Sequence, residues 1–79
     1  MKISAIITLK KDVLDPQGKV VQNTLNNLGM SDLKSVRQGK FFEIEIDEQD
    51  QKKAEIKVDG MCKKLLVNLI IEDYKINKL

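Results

Sequence analysis

Apolar and polar positions alternate along the first ten residues, with Ile3, Ala5, Ile7 and Leu9 on one side and Lys2, Ser4, Ile6, Thr8 and Lys10 on the other. That period of two predicts a strand from Lys2 to Lys10 with one buried face and one wetter face, on which Ile6 is the exception. The period then changes. Asp15-Pro16 sets a helix start at about residue 16, because the Asp15 carboxylate can accept from free N–H groups of the first turn and Pro16 brings a preset φ where a missing N–H costs nothing. Val20, Val21, Leu25 and Leu28 follow at helical spacing, and Gln22, Asn23, Asn26 and Asn27 take the other face. Val13 and Leu14 are placed to fold over Val20 or Val21 as a hydrophobic staple. Gly29 ends the helix in the left-handed conformation.

From Asp32 to Gln38 the pattern predicts a second strand, apolar at Leu33 and Val36, and Gly39-Lys40 follows as a tight reversal or glycine bulge. Phe41 to Asp47 alternates cleanly, with Phe42, Ile44 and Ile46 inward and Phe41, Glu43, Glu45 and Asp47 outward, so residues 32–47 read as a hairpin. Asp47 or Asp50 can cap a second helix over about residues 48–67, with Glu48 adding negative charge where the dipole favours it. Ala54, Val58, Met61, Cys62 and Leu65 form its apolar stripe, with Leu66 at the edge. Gly60, on the opposite side, costs about 1 kcal/mol relative to alanine; it marks a close approach by another backbone, a kink, or simply an exposed position. Asn68 stops the helix, and Leu69 to Ile76 forms the last strand.

The resulting βαββαβ order predicts one α+β domain spanning residues 1–79, a two-layer sandwich of ferredoxin-like type whose two helices cover one face of an antiparallel sheet. The opposite face carries Ile6 and Phe41. It and the edge left by the last strand are the surfaces on which a partner is expected.

Composition sharpens this picture. A core in a chain of 79 residues rarely supplies more than about 3 to 5 kcal/mol, and small proteins without staples often gain the remainder by oligomerising. Cys62 is the one cysteine and there is no histidine, so neither a disulfide nor a zinc site supports the fold. A lone thiol and no leader point to the cytosol, and no apolar run approaches the roughly 20 residues of a membrane span. The net charge of +2 is too balanced to indicate nucleic acid. Gly39-Lys40-Phe41-Phe42 faintly resembles an RNA-stacking strand, but the first strand lacks the second aromatic, and Glu43, Glu45 and Asp47 beside Phe41 would repel phosphates.

Candidate chemistry is sparse. Without histidine, Ser-His and Cys-His nucleophiles are excluded, and Cys62 falls on the buried stripe, where a thiol behaves as an inert small hydrophobe. Glu43 and Glu45 share an exposed strand face, and Glu72 and Asp73 point to opposite faces. Neither pair has metal-motif spacing. Arg37, Gly39 and Lys40 could hold an anion at the hairpin end or form a solvated basic turn.

Three segments together, Val13-Leu14-Asp15-Pro16-Gln17-Gly18, Val36-Arg37-Gln38-Gly39-Lys40, and Cys62 to Asn68 running into Ile71-Glu72-Asp73-Tyr74, resemble the PurS family, the small subunit of phosphoribosylformylglycinamidine synthase. The family's usual proline after the asparagine that closes the second helix is Leu69 here, so that break is less enforced. The resemblance implies a subunit with no catalytic centre and no cofactor of its own. In the family, a glutaminase subunit releases ammonia, and a large synthetase subunit uses ATP and magnesium to convert formylglycinamide ribonucleotide to the amidine in purine synthesis. The small subunit dimerises or forms tetramers, bridges the two and assists ammonia transfer. The matching positions, expected to shape contact surfaces, are Asp15, Pro16, Gly18, Arg37, Gly39, Lys40, Asn68, Ile71, Glu72 and Tyr74. A cytoplasmic complex without membrane or nucleic-acid contact is implied. The alternative is a free-standing dimeric regulatory module of ferredoxin-like type that binds a small ligand at its interface.

Overall fold

The computed structural model describes residues 1–79, in the order β1 (Lys2–Leu9), α1 (Pro16–Asn27), β2 (Gly39–Glu45), α2 (Gln51–Met61), a π-helical turn (Cys62–Leu66) and β3 (Glu72–Lys78). The α+β class and the antiparallel sheet are present. The sheet has three strands in the order β2-β1-β3. Ile3 lies opposite Ile44 and Ala5 opposite Phe42 on one side of β1, and Ala5 lies opposite Ile76 and Ile7 opposite Tyr74 on the other. β1 is central because its alternation gives a full inner row: Ile3, Ala5 and Ile7 are wholly buried. They meet Ala54, Val58 and Cys62 of the second helix, which recur at every fourth residue and are likewise wholly buried.

The strand expected over residues 32–38, and with it the hairpin 32–47, does not form. Leu33 and Val36 are three residues apart, which gives no common face at a period of two. The backbone of this segment is held by side chains instead of a ladder. Gln22 donates to the Lys34 carbonyl at 2.9 Å, Asn26 to those of Met30 and Leu33, and Arg37 to those of Lys10 and Val13. Residues 30–38 thus form a strap laid back along α1. Gly39 opens β2 and is not a reversal; a Cβ there would lie 2.6 Å from the Ile7 carbonyl oxygen, so only glycine lets the two backbones pair this closely.

α1 begins at Pro16 with Asp15 as its cap, and Gly29 follows its end at φ 103°. Only the first helix departs from the expected two-layer arrangement. Its one buried residue is Gly18, and Val20, Val21 and Leu28 lie open. Of the residues expected to form the staple, Leu14, Val20 and Val21 are exposed and Val13 is half-buried. α1 with its strap is an arm projecting from the sheet, and the molecule measures 48 × 25 × 14 Å.

The second helix starts after Asp50, whose carboxylate accepts from the Lys53 N–H at 3.1 Å. It ends as an α-helix at Met61, short of the expected residue 67, and continues as one π turn closed by the Val67 N–H on the Cys62 carbonyl. A π turn reaches one residue further per bond. That shift brings Leu66 to the inner face and turns Leu65 outward, so Leu65 of the expected stripe is exposed and Leu66 is half-buried. Gly60 faces open space, with no atom near a would-be Cβ. β3 starts at Glu72 and not at Leu69, because residues 68–71 close a turn with the Ile71 and Glu72 N–H groups on the Asn68 carbonyl.

Candidate functional site

The corner between β1 and α1 is built around one carboxylate. Asp15 is buried, and its two oxygens divide the work: Oδ1 accepts from the Gly18 N–H at 3.0 Å and Oδ2 from the Gln38 N–H at 2.6 Å. One side chain therefore caps α1 and pins the returning strap. These N–H donors, Gln38 first and then Gly18, hold the Asp15 carboxyl below its ordinary range, and the nearby Arg37 charge adds to the effect. Gly18 has no alternative here, since a Cβ would lie 2.5 Å from both Asp15 Oδ2 and the Val36 carbonyl oxygen. Arg37 closes the corner with Nη2 on two carbonyl oxygens, Lys10 at 3.0 Å and Val13 at 2.9 Å.

A second carboxylate faces this corner across the sheet end. Glu72, at the start of β3, is buried; its Oε1 accepts from the Asn68 N–H at 2.8 Å and its Oε2 pairs with Lys40 Nζ at 3.3 Å. The Asn68 N–H, and secondly Lys40, hold its carboxyl low. Ile71 joins by its carbonyl, which accepts from the Lys10 N–H at 2.9 Å. Between the two carboxylates lies an open cleft of about 310 Å³ lined by Pro16, Gln17, Gln38, Gly39 and Lys40 among others.

Nine of the ten motif positions, all but Tyr74, thus collect at one end of the sheet or in the turn that borders it. Tyr74, one inward position further along β3, hydrogen-bonds Asp59 of α2 instead. The acceptance by Asp59 pushes the tyrosine hydroxyl up to about 12, and Asp59 also holds Lys63 at 3.0 Å. Arg37 and Lys40, an anion-binding turn on one reading of the sequence, are both engaged within the chain.

The arrangement positions backbone; it does not assemble reactive groups. No buried side-chain nitrogen or oxygen lacks a hydrogen-bond partner. No cluster of three or more histidine, cysteine, aspartate or glutamate side chains could hold a metal ion. Cys62 is enclosed, and burial, followed by the Asp59 charge, raises its thiol. Glu43 stands on the open sheet face, where it pairs with Lys2 at 3.3 Å.

The PurS family model, described as phosphoribosylformylglycinamidine (FGAM) synthase, matches the chain over residues 2–79. The chain belongs to the PurS family. It is 43% identical over 75 residues to the phosphoribosylformylglycinamidine synthase subunit PurS of Methanocaldococcus jannaschii, covering 95% of this chain and 90% of that one. It is 40% identical to the Bacillus subtilis PurS subunit, covering 94% and 87%. The M. jannaschii PurS crystal structure, described as one of the subunits of formylglycinamide ribonucleotide amidotransferase in the purine biosynthetic pathway, superposes with a TM-score of 0.86 over 96% of this chain and 92% of that one. A chain of the PurLQS structure from Thermotoga maritima, 28% identical, superposes at 0.90 over 99% and 95%.

Sequence reasoning placed Gln38 and Asp73 inside the matching segments but gave no role to the Gln38 N–H or to the pair Lys10–Asp73, joined at 2.9 Å. Gln38 contributes a backbone N–H, which every non-proline residue carries, so nothing in its side chain could have singled it out. Lys10 and Asp73 flank the end of the β1–β3 ladder, and correct strand pairing would have placed them side by side.

Proposed function

We propose that this chain serves as the small subunit of phosphoribosylformylglycinamidine synthase in purine biosynthesis, joining a glutaminase subunit to an ATP-dependent synthetase subunit and assisting the passage of ammonia between them. The reading rests on membership of the PurS family and, within the chain, on one observation. Three motif segments far apart in sequence converge on one sheet end where the buried carboxylates of Asp15 and Glu72 and the Arg37 guanidinium are engaged in fixing backbone. A surface of fixed shape with no nucleophile, base or metal suits docking of larger proteins. ATP and magnesium belong to the synthetase on this account, and the complex works in the cytoplasm. No helix of the chain is long and apolar enough to cross a membrane.

Reconstitution tests it. The chain alone turns over neither glutamine nor the ribonucleotide, co-sediments with the two larger subunits, and is required for glutamine-dependent amidine formation. Lys40→Ala, which removes an exposed side chain at the cleft mouth, leaves the circular dichroism spectrum unchanged and weakens assembly by roughly tenfold. Undiminished assembly would remove this sheet end from the contact. A chain that ignored both subunits would remove the function.

A further inference from the structure

The strap brings Lys34 and Arg37 to the side of α1 that carries Lys19, and the three line one cleft of about 240 Å³. No other cleft of the chain is lined by more than one cation. Elsewhere Lys2, Lys10, Lys40, Lys57 and Lys63 each pair with a carboxylate, whereas none of these three cations does. Asp15 is the one acid in the cleft wall, and both of its oxygens already accept from backbone N–H groups.

Gathering these charges works against the fold. Lys19 sits near the start of α1, whose first turn has no acidic side chain, and a cation at that positive end of the helix dipole is disfavoured. Lys34 is held there by its own carbonyl, which accepts from Gln22 of α1 at 2.9 Å. Arg37 is fixed from one side only. Its two hydrogen bonds, to the Lys10 and Val13 carbonyls, are both made by Nη2, so Nε and Nη1 keep their protons for an acceptor outside the chain. Ser35 adds a hydroxyl to the same wall.

An anion in the cleft would offset that repulsion, and the donor set selects its kind. A guanidinium held in place offers a fork to two oxygens of one group, and the two lysines add point charges around it. A carboxylate brings one charge, whereas a phosphate monoester carries nearly two above its second pKa of about 6 and has three acceptor oxygens. We propose that the cleft between α1 and the strap binds a phosphate group, carried by a small phosphorylated molecule or present as the free anion. This site is distinct from the cleft between Asp15 and Glu72, whose one cation, Lys40, is paired with Glu72. The proposal stands apart from the synthase reading, because the binding is read on this chain without the larger subunits.

Nuclear magnetic resonance titration of the isotope-labelled full chain tests it, with inorganic phosphate, pyrophosphate, AMP and adenosine added at constant ionic strength. Saturable shifts of the Lys34 to Arg37 amides are expected with the three phosphates and none with adenosine. Lys19→Gln and Lys34→Gln alter exposed side chains, so each is expected to keep the fold and to weaken pyrophosphate binding by about threefold. Lys52→Gln, which removes the same charge from a different cleft, is expected to leave it unchanged. AMP binding more tightly than phosphate would mark a nucleotide as the carrier, and equal or weaker binding the free anion; either supports a phosphate site. No saturable shift, equal weakening in Lys52→Gln, full binding in both Lys19→Gln and Lys34→Gln, a matching response to adenosine, or a tetraglutamate peptide binding as tightly as pyrophosphate would overturn the proposal.

Discussion

Asp15 and Glu72 are the residues on which the sheet end depends, and both act as charged acceptors of backbone N–H groups. A carboxylate whose fold lowers its pKa stabilises the fold while it is ionised. Here the ordinary values are 3.8 for Asp15 and 4.5 for Glu72, and both are lowered. Their contribution is therefore complete above these values and lost as pH falls through the lowered ones. The urea midpoint is expected to hold steady down to about pH 4.5 and then to fall, and Asp15→Asn, which cannot ionise, is expected to flatten part of that decline. Tyr74 gives the opposite sign. Its hydroxyl is raised to about 12 from 10.0, so its bond to Asp59 stabilises below pH 10.0 and is lost as pH rises through about 12. It is the one tyrosine, and there is no tryptophan, so phenolate absorbance reports this group alone. Asp59→Asn is expected to return the titration toward 10.0; an unshifted titration would separate Tyr74 from Asp59.

Among the elements, the second helix carries the sharpest contrast. Ala54, Val58 and Cys62 repeat every four residues and all reach the core, as an α-helical stripe requires. The π turn then exchanges Leu65 for Leu66 at the next position. Leu66→Ala is expected to cost about 2 kcal/mol of chain stability, at the low end for a leucine that is only half-buried, and Leu65→Ala well under 1 kcal/mol when the two are compared by urea melts of the dissociated chain. Equal costs would mean that the α-helix runs on through Leu65. α1 is the opposite case. Its start, its glycine stop and its amphipathic spacing are all written locally, yet it packs on its own strap and not on its own sheet, because the Asp15 and Arg37 contacts aim it away from the sheet.

At the scale of the whole molecule, a core of seven buried hydrophobic residues is small for a chain this elongated, and association would add the burial that the fold by itself lacks. Binding between folded copies draws the equilibrium toward the folded state by mass action. The melting temperature is therefore expected to rise by several degrees for each tenfold increase in protein concentration. A melting temperature independent of concentration would describe a chain whose stability is its own.

Local signals in the sequence determined the outline of this protein. The alternation of Lys2 to Leu9, the Asp15-Pro16 cap, Gly29 and the Ala54-Val58-Cys62 stripe each act over a few residues, where backbone dihedrals, caps and side-chain periodicity decide the conformation. The motif segments were legible as a set only through their resemblance to the PurS family; the roles of the glycines at 18 and 39 and of the carboxylates at 15 and 72 come from a corner that the fold assembles. Tertiary structure alone decided which surfaces meet. Whether residues 32–38 pair as a strand or lie as a strap on α1 depends on acceptors up to 27 residues away, on the Lys10 and Val13 carbonyls and the Asp15 carboxylate. The direction of α1 depends on those same contacts. Such choices compare alternative long-range partners for one segment, and no local pattern encodes the comparison.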